Sequence, residues 1–122
     1  MFELKVTTHF AAAHQLKMLG EKCENLHGHN WKIEVRIEGE ALNHAGVLID
    51  FGEVKMHLSS IMEKLDHQFL NELDYFQVDS PSSENIACFV AKELQVLINN
   101  ASIKVTSVTA WESENASATF IC

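Results

Sequence analysis

Basic residues are scarce in this sequence. Nine lysines and arginines stand against 17 aspartates and glutamates, which gives a formal net charge of −8 at pH 7. Proteins that follow a nucleic-acid backbone need a surface rich in lysine and arginine, so we expect no nucleic-acid partner. An anionic small molecule would need a local group of cations, and Lys17 and Lys22 are the candidates near the principal motif.

Long apolar runs and paired cysteines are also missing. No apolar stretch approaches the roughly 20 residues that a bilayer-spanning helix needs, and residues 1–6 lack the basic and then apolar layout of a signal peptide. The three cysteines are an odd number without a Cys-x-x-Cys pair, which argues against a disulfide framework and fits a reducing compartment. We therefore expect a cytoplasmic protein with no membrane partner.

The length and pattern predict one domain that begins with two strands. With 122 residues and 47% hydrophobic content, residues 1–122 can form a single core. Apolar and polar residues alternate over residues 2–10, with a continuation toward 14, and again over residues 27–37, which predicts two strands. Residues 17–26 lack a period and predict a loop. Consecutive strands without an intervening helix most simply pair antiparallel.

Two helices follow these strands. Asp50 with Glu53 resembles a capping box, and apolar residues at helical spacing predict a helix over residues 51–65. Pro81, just inside a serine-rich start, predicts the first turn of a second helix that ends near residues 99–100.

The last segment predicts a β-hairpin, because residues 103–112 and 116–122 alternate again. The order β-β-α-α-β-β predicts an α+β fold, in which a four-stranded antiparallel sheet carries two helices on one face. The open edges of such a sheet would be satisfied if copies of the chain paired into a closed barrel. We therefore predict a ring-like homo-oligomer.

The principal motif is a cysteine followed by two histidines. His27 and His29 stand two residues apart on the second strand, so their side chains should project from one face, roughly 6 to 7 Å apart. Catalytic zinc sites use three protein ligands, and antiparallel pairing would bring His14 close to both. Cys23 lies four residues before His27. The alternative is that a bare His-x-His is a pair of solvated strand residues.

Several ordered motifs together resemble one family. The motifs are Ala12-Ala13-His14, Leu26-His27-Gly28-His29, Ile49-Asp50-Phe51, Leu65-Asp66-His67 and Trp111-Glu112. They span nearly the whole chain and resemble those of the 6-pyruvoyl-tetrahydropterin synthases and 6-carboxytetrahydropterin synthases.

The resemblance implies a tunnelling fold with a metal cofactor. Its β-β-α-α-β-β subunits would form trimeric barrels that stack into a homohexamer, a dimer of trimers, with active sites at subunit interfaces. It implies that His14, His27 and His29 bind Zn²⁺. Zinc would act as a Lewis acid on the side-chain hydroxyls of a pterin triphosphate substrate.

The resemblance also implies the acid and base groups. Cys23 would accept a proton, because a thiol near a divalent cation can become a thiolate. Asp66 and His67 would form the matching relay, in which the carboxylate orients the imidazole. The alternatives are an incidental loop cysteine and a polar helix end at which a histidine complements the dipole.

Three further residues are implied to bind the substrate. Glu112 would anchor the pterin through paired hydrogen bonds from its amino group and a ring N–H; the alternative is a surface glutamate at a strand end. Ser82 and Ser83 fall where the family places threonines beside the pterin, although both are also plausible helix caps.

The spacing from Cys23 to His27 resembles that of the carboxy-forming enzymes of queuosine precursor synthesis. The implied reaction converts 7,8-dihydroneopterin triphosphate to 6-carboxy-5,6,7,8-tetrahydropterin and releases acetaldehyde and triphosphate. One alternative is a pyruvoyl-forming synthase, which eliminates triphosphate and keeps the three-carbon side chain. The other is a zinc- and pterin-binding protein without turnover.

Overall fold

The structure is a computed structural model that describes residues 1–16 and 26–122, with His27 described for its backbone. Within these ranges the element order is β-β-α-α-β-β, as the sequence predicts. Two single-turn 3₁₀ helices lie between the α-helices, at Leu70–Glu72 and Asp74–Phe76. The main elements are β1 (Phe2–His14), β2 (His27–Gly39), α1 (Phe51–Leu65), α2 (Ser83–Ile98), β3 (Lys104–Ser113) and β4 (Ala116–Ile121).

The four strands form one antiparallel sheet in the order β1-β2-β3-β4. The register of the first pair runs from Phe2 opposite Gly39 to His14 opposite His27. The predicted antiparallel pairing of the first two strands is therefore confirmed. Strands β1 and β4 form the two edges of this sheet, and the closure of these edges between copies stays a prediction.

Both helices pack on the same side of the sheet and cover its apolar face. Helix α1 contacts β1, and α2 contacts β3 and β4. On β2, every second residue from Trp31 to Ile37 is fully buried beneath them. This alternation is what a strand with one covered face requires. Among the described residues, no helix is long and apolar enough to cross a membrane.

The helix starts are fixed by side-chain caps. The Asp50 carboxylate accepts a hydrogen bond of 2.6 Å from the Gly52 N–H, so α1 occupies the predicted residues 51–65. Helix α2 begins two residues later than its proline suggests, because Ser82 is the cap and its hydroxyl accepts from the Asn85 N–H at 3.1 Å. Pro81 therefore lies just outside the helix, and not in its first turn as predicted.

Candidate metal centre

Two histidines from neighbouring strands meet at one end of the sheet, on the side that the helices cover. His14 is the last residue of β1, and Ala12, two residues earlier, pairs with His29 of β2. The two imidazole centroids lie 5.1 Å apart in an edge-to-face arrangement. The His14 side chain is 1% exposed and that of His29 is 19% exposed. Two imidazoles are thus held together at a largely buried position.

An aromatic wall supports these two rings. The fully buried Trp31 lies edge-on to both histidines, with centroid distances of 5.1 Å to His14 and 5.5 Å to His29. Phe10 stacks nearly parallel to Trp31 at 5.8 Å. Close-packed buried rings have few alternative rotamers, so the wall restricts the orientation of both imidazoles and keeps water from one side of the site.

A carboxylate from the third strand completes the cluster. The Oε1 atom of Glu112 lies 2.8 Å from Nε2 of His29 and 3.4 Å from Nε2 of His14. Glu112 is the extra residue of a β-bulge, because Trp111 pairs with Ser117 while Ser113 pairs with Ala116. Bulges redirect side chains and are common beside active sites.

The donor set of this cluster fits a divalent cation. His14 Nδ1 donates to the Pro81 carbonyl at 2.8 Å, so in the neutral ring Nε2 carries a lone pair that faces the Glu112 carboxylate. This buried Nε2 makes no hydrogen bond within the described part of the chain. One ligand atom from each of His14, His29 and Glu112 lies within 4.8 Å of the others. Tetrahedral zinc ligands at about 2.1 Å from the ion lie about 3.4 Å apart; His14 Nε2 and Glu112 Oε1 have this separation, whereas His29 Nε2 and Glu112 Oε1, at 2.8 Å, would have to move apart to bind one ion together.

Asp66 and His67 lie beside the edge of β1. One oxygen of Asp66 accepts from the Ala11 N–H at 2.9 Å, and the other contacts His67 Nδ1 at 2.9 Å. The His67 N–H donates to the Ala11 carbonyl at 2.6 Å. The Ala11 hydrogen bond is the main cause that lowers the pKa of Asp66 below its ordinary value. The carboxylate is therefore ionised and oriented towards the imidazole.

His67 has an unusual backbone conformation and high exposure. Its φ of 58° lies in the left-handed region, which few non-glycine residues adopt. Its side chain is 82% exposed. Hydrogen bonds to the Ala11 backbone hold the pair Asp66 and His67, here called the Asp66–His67 dyad, beside β1. The imidazole of His67 faces away from the core, and His67 is not part of the metal cluster found among the described residues.

The remaining predicted site residues have different outcomes. Cys23 lies outside the described residues, and for His27 the structure gives the backbone pairing with His14. The Ser82 hydroxyl caps α2, and Ser83 is the first residue of that helix. A substrate contact of either serine stays a prediction, as does the pterin-anchoring role of Glu112.

The strand alternation predicts that Trp31, two residues after His29, lies on the same face as the histidines, and its ring contacts confirm this. Sequence reasoning missed another part of the site, the Pro81 carbonyl. The Pro81 carbonyl had no comparable signal, because any backbone carbonyl can accept a hydrogen bond and only the tertiary fold selects one.

The fold and this cluster define a class: an α+β domain with a candidate metal site at the end of an antiparallel sheet. Residues 3–121 match the family model described as 6-pyruvoyl tetrahydropterin synthase. The chain therefore belongs to the 6-pyruvoyl tetrahydropterin synthase family, and the resemblance found in the sequence is confirmed.

The similar proteins carry out different reactions. A 6-carboxy-5,6,7,8-tetrahydropterin synthase of Synechocystis sp. is 36% identical over 91 residues, which are 70% of this chain and 69% of that protein. A dihydroneopterin monophosphate aldolase of Pyrococcus furiosus is 33% identical over 103 residues, or 84% and 82% of the two chains. These two relatives are named for different reactions, so their similarity alone assigns neither reaction to this chain.

A solved structure shares the complete fold. The 6-pyruvoyl tetrahydropterin synthase of Caenorhabditis elegans superposes with a TM-score of 0.87 and covers 99% of this chain and 95% of that chain, at 24% identity. This similarity confirms the four-stranded antiparallel sheet with its two helices.

Proposed function

We propose that the protein is a zinc-dependent lyase that converts 7,8-dihydroneopterin triphosphate to 6-carboxy-5,6,7,8-tetrahydropterin, with release of acetaldehyde and triphosphate, in queuosine precursor synthesis. The observation that carries the proposal is the convergence of His14, His29 and Glu112 at one end of the sheet. Membership of the family and the Synechocystis carboxy-forming relative support it.

In this proposal His14, His27 and His29 bind the metal. His14 and His29 direct Nε2 atoms to a common region beside Glu112. His27 is included as the third ligand because it precedes His29 by two residues on the same strand and its Cα pairs with that of His14. A zinc ion supplies Lewis acidity towards the hydroxyl groups of the substrate side chain.

Glu112 anchors the pterin ring. An ionised carboxylate with two oxygens can accept a pair of parallel N–H bonds, as from the pterin amino group and its neighbouring ring nitrogen. Its side chain is 34% exposed and its Oε1 already lies within 3.4 Å of both histidine Nε2 atoms. A ring held by Glu112 is therefore beside the metal ligands. Ser82 and Ser83, at the start of α2, are proposed to border the same ring.

Proton transfer is assigned to Cys23 and to the Asp66–His67 dyad. Asp66 orients the His67 imidazole through its 2.9 Å contact with Nδ1, which leaves Nε2 for exchange with substrate. Because His67 faces away from the core of its own chain, we propose that active sites form at interfaces between copies. The edge of β4, and the part of the β1 edge before Ala11 that the segment after α1 leaves uncovered, are the surfaces through which a homohexamer, a dimer of trimers, would assemble.

Product identification tests the reaction. Zinc-loaded protein is incubated with 7,8-dihydroneopterin triphosphate, and the products are identified by mass spectrometry. The 6-carboxy product with acetaldehyde is the expected result. A 6-pyruvoyl product without acetaldehyde would instead assign the pyruvoyl-forming reaction. Dihydroneopterin monophosphate is tested in parallel, because cleavage of that substrate would assign the activity of the Pyrococcus furiosus aldolase relative.

A binding protein without turnover is the candidate of another class. If the wild type and Cys23→Ala both bind the pterin and neither converts it, the binding role is correct. The Asp66–His67 contact favours catalysis, because an oriented imidazole serves proton transfer and binding alone does not require it.

Metal analysis tests the ligand set. Elemental analysis should give about one zinc per chain, as for a three-histidine catalytic site, and His27→Ala should lose it. His44→Ala is the matched control, since His44 is exposed in the turn that follows β2. Retention of zinc in His27→Ala would remove His27 from the ligand set.

A further inference from the structure

Resting on the proposed metal site, we infer that the turn over residues 80–82 is a positioning element for the metal ligand His14. The Pro81 carbonyl holds the proton of the imidazole on Nδ1, and the side chains of Ser82 and Asn85 hold the turn that carries this carbonyl. With the proton held on Nδ1, the lone pair of Nε2 is left free to bind the metal.

The first step is the position of the proton. His14 is 1% exposed, and its Nδ1 lies 2.8 Å from the Pro81 carbonyl oxygen. A carbonyl oxygen can only accept, so Nδ1 has to donate. A neutral imidazole has one N–H, and Nε2 is then the unprotonated nitrogen that a metal requires.

A second acceptor competes for the same proton. Glu112 Oε1 lies 3.4 Å from Nε2 of His14, and a neutral ring protonated on Nε2 would direct its N–H towards that carboxylate. Such a ring could not bind a metal through Nε2. Within the described part of the chain, Nδ1 has a hydrogen-bond partner in the Pro81 carbonyl and Nε2 has none, so the contact to Pro81 leaves Nε2 available.

The next step is what holds the carbonyl. Proline has no N–H and a fixed φ, so the neighbours of Pro81 fix its position. The Ser82 N–H and the Asn85 side-chain amide both donate to the Ser80 carbonyl, at 2.8 and 2.9 Å. The Ser82 hydroxyl accepts from the Asn85 N–H at 3.1 Å. These three hydrogen bonds join Ser80 and Ser82, the neighbours of Pro81, to each other and to Asn85, and so restrict the position of Pro81.

This arrangement gives Ser82 and Asn85 a role at the metal without contact to it. Groups that orient a metal-ligating histidine through its other nitrogen typically change metal affinity 10- to 100-fold when removed. The double variant Ser82→Ala/Asn85→Ala loosens the turn but leaves the Pro81 carbonyl present, so we expect zinc binding to weaken by about 10-fold, the lower end of this range, although neither residue is a ligand.

A matched control separates this effect from a weakened helix. Gln95 lies near the other end of α2, where its side chain donates to the Ile103 carbonyl and accepts from the Val105 N–H. Gln95→Ala removes two side-chain hydrogen bonds from the same helix, as the double variant does, and leaves the turn intact. It should keep the wild-type zinc affinity.

The experiment has two readouts on the whole protein. Competition with a chromophoric chelator gives zinc affinity for the wild type, the double variant and Gln95→Ala. In the metal-free wild type, long-range ¹⁵N–¹H correlation at a pH where the ring is neutral shows which nitrogen of His14 is protonated, with the signal assigned by its loss in His14→Gln. Protonation on Nδ1 and a selective loss of affinity in the double variant are expected.

Three outcomes overturn the inference. They are a proton on Nε2 of His14 in the metal-free wild type, unchanged zinc affinity in the double variant, and an equal loss in Gln95→Ala. Failure of the proposed function is recognised separately, because a wild type that binds no zinc removes the metal site whatever the protonation of His14.

Discussion

The Oε1 atom of Glu112 lies 2.8 Å from Nε2 of His29, across the neighbouring strands β3 and β2. Ala110 pairs with Ile33, and both lie on the buried face of the sheet. Glu112 is two residues after Ala110 on β3, so its side chain projects from the same face. The bulge with β4 then releases Glu112 from regular pairing. A partly exposed carboxylate is thus available to a ligand while it contacts a candidate metal ligand.

Replacement of Glu112 by glutamine distinguishes a substrate anchor from a metal ligand. Glu112→Gln keeps the shape of the side chain and removes its charge. Hydrogen bonds to a charged group contribute about 1.5–3 kcal/mol, so we expect pterin binding to weaken by roughly 10- to 100-fold with zinc content unchanged. Equilibrium titration with the substrate and elemental analysis measure the two effects. Loss of zinc would place Glu112 in the ligand set.

Trp31 should report metal binding. Its ring lies 5.1 Å from that of His14 and 5.5 Å from that of His29, so an ion bound by the histidines changes the surroundings of its indole. We expect zinc titration to change the tryptophan emission in the wild type and in Trp111→Phe, and to leave it unchanged in Trp31→Phe. A response that is lost in Trp111→Phe would contradict this assignment.

The elements of the fold were predictable where their cause is local. Alternation along β1 and β2 predicts both strands and brings His14 near His27, because the side-chain period of a strand is fixed. The Asp50 cap and the apolar spacing predict α1 at residues 51–65. For α2, Ser80, Ser82 and Ser83 can each cap a helix, so the sequence did not determine on which side of the cap Pro81 lies.

The parts of the site that depend on tertiary contacts were not predictable. The hydrogen bond from His14 to the Pro81 carbonyl joins the end of β1 to the start of α2. Its acceptor is a backbone atom with no residue signature. The contact of Glu112 with His29 similarly depends on the register of three strands and on one bulge, which the alternation pattern does not encode.

Asp66 should contribute to stability in a pH-dependent manner. The Ala11 N–H lowers the pKa of its carboxyl in the folded state, whereas the unfolded value is about 3.9. The folded state then binds fewer protons, so the contribution is present above the unfolded pKa and is lost as pH falls through the folded pKa. The difference in unfolding free energy between wild type and Asp66→Asn should therefore shrink from pH 7 to pH 3 in urea titrations. A constant difference would contradict this linkage.

His67 offers a test that separates chemistry from backbone strain. Its φ of 58° suits asparagine, which adopts the left-handed region more readily than most residues. We expect His67→Asn to keep the unfolding free energy within about 0.5 kcal/mol and to lower kcat by about 10²- to 10⁴-fold, the usual contribution of a general acid or base. His67→Val should lose the same activity and also about 1–2 kcal/mol of stability, while the exposed control His44→Asn should change neither. Wild-type kcat in His67→Asn would remove His67 from the proton relay.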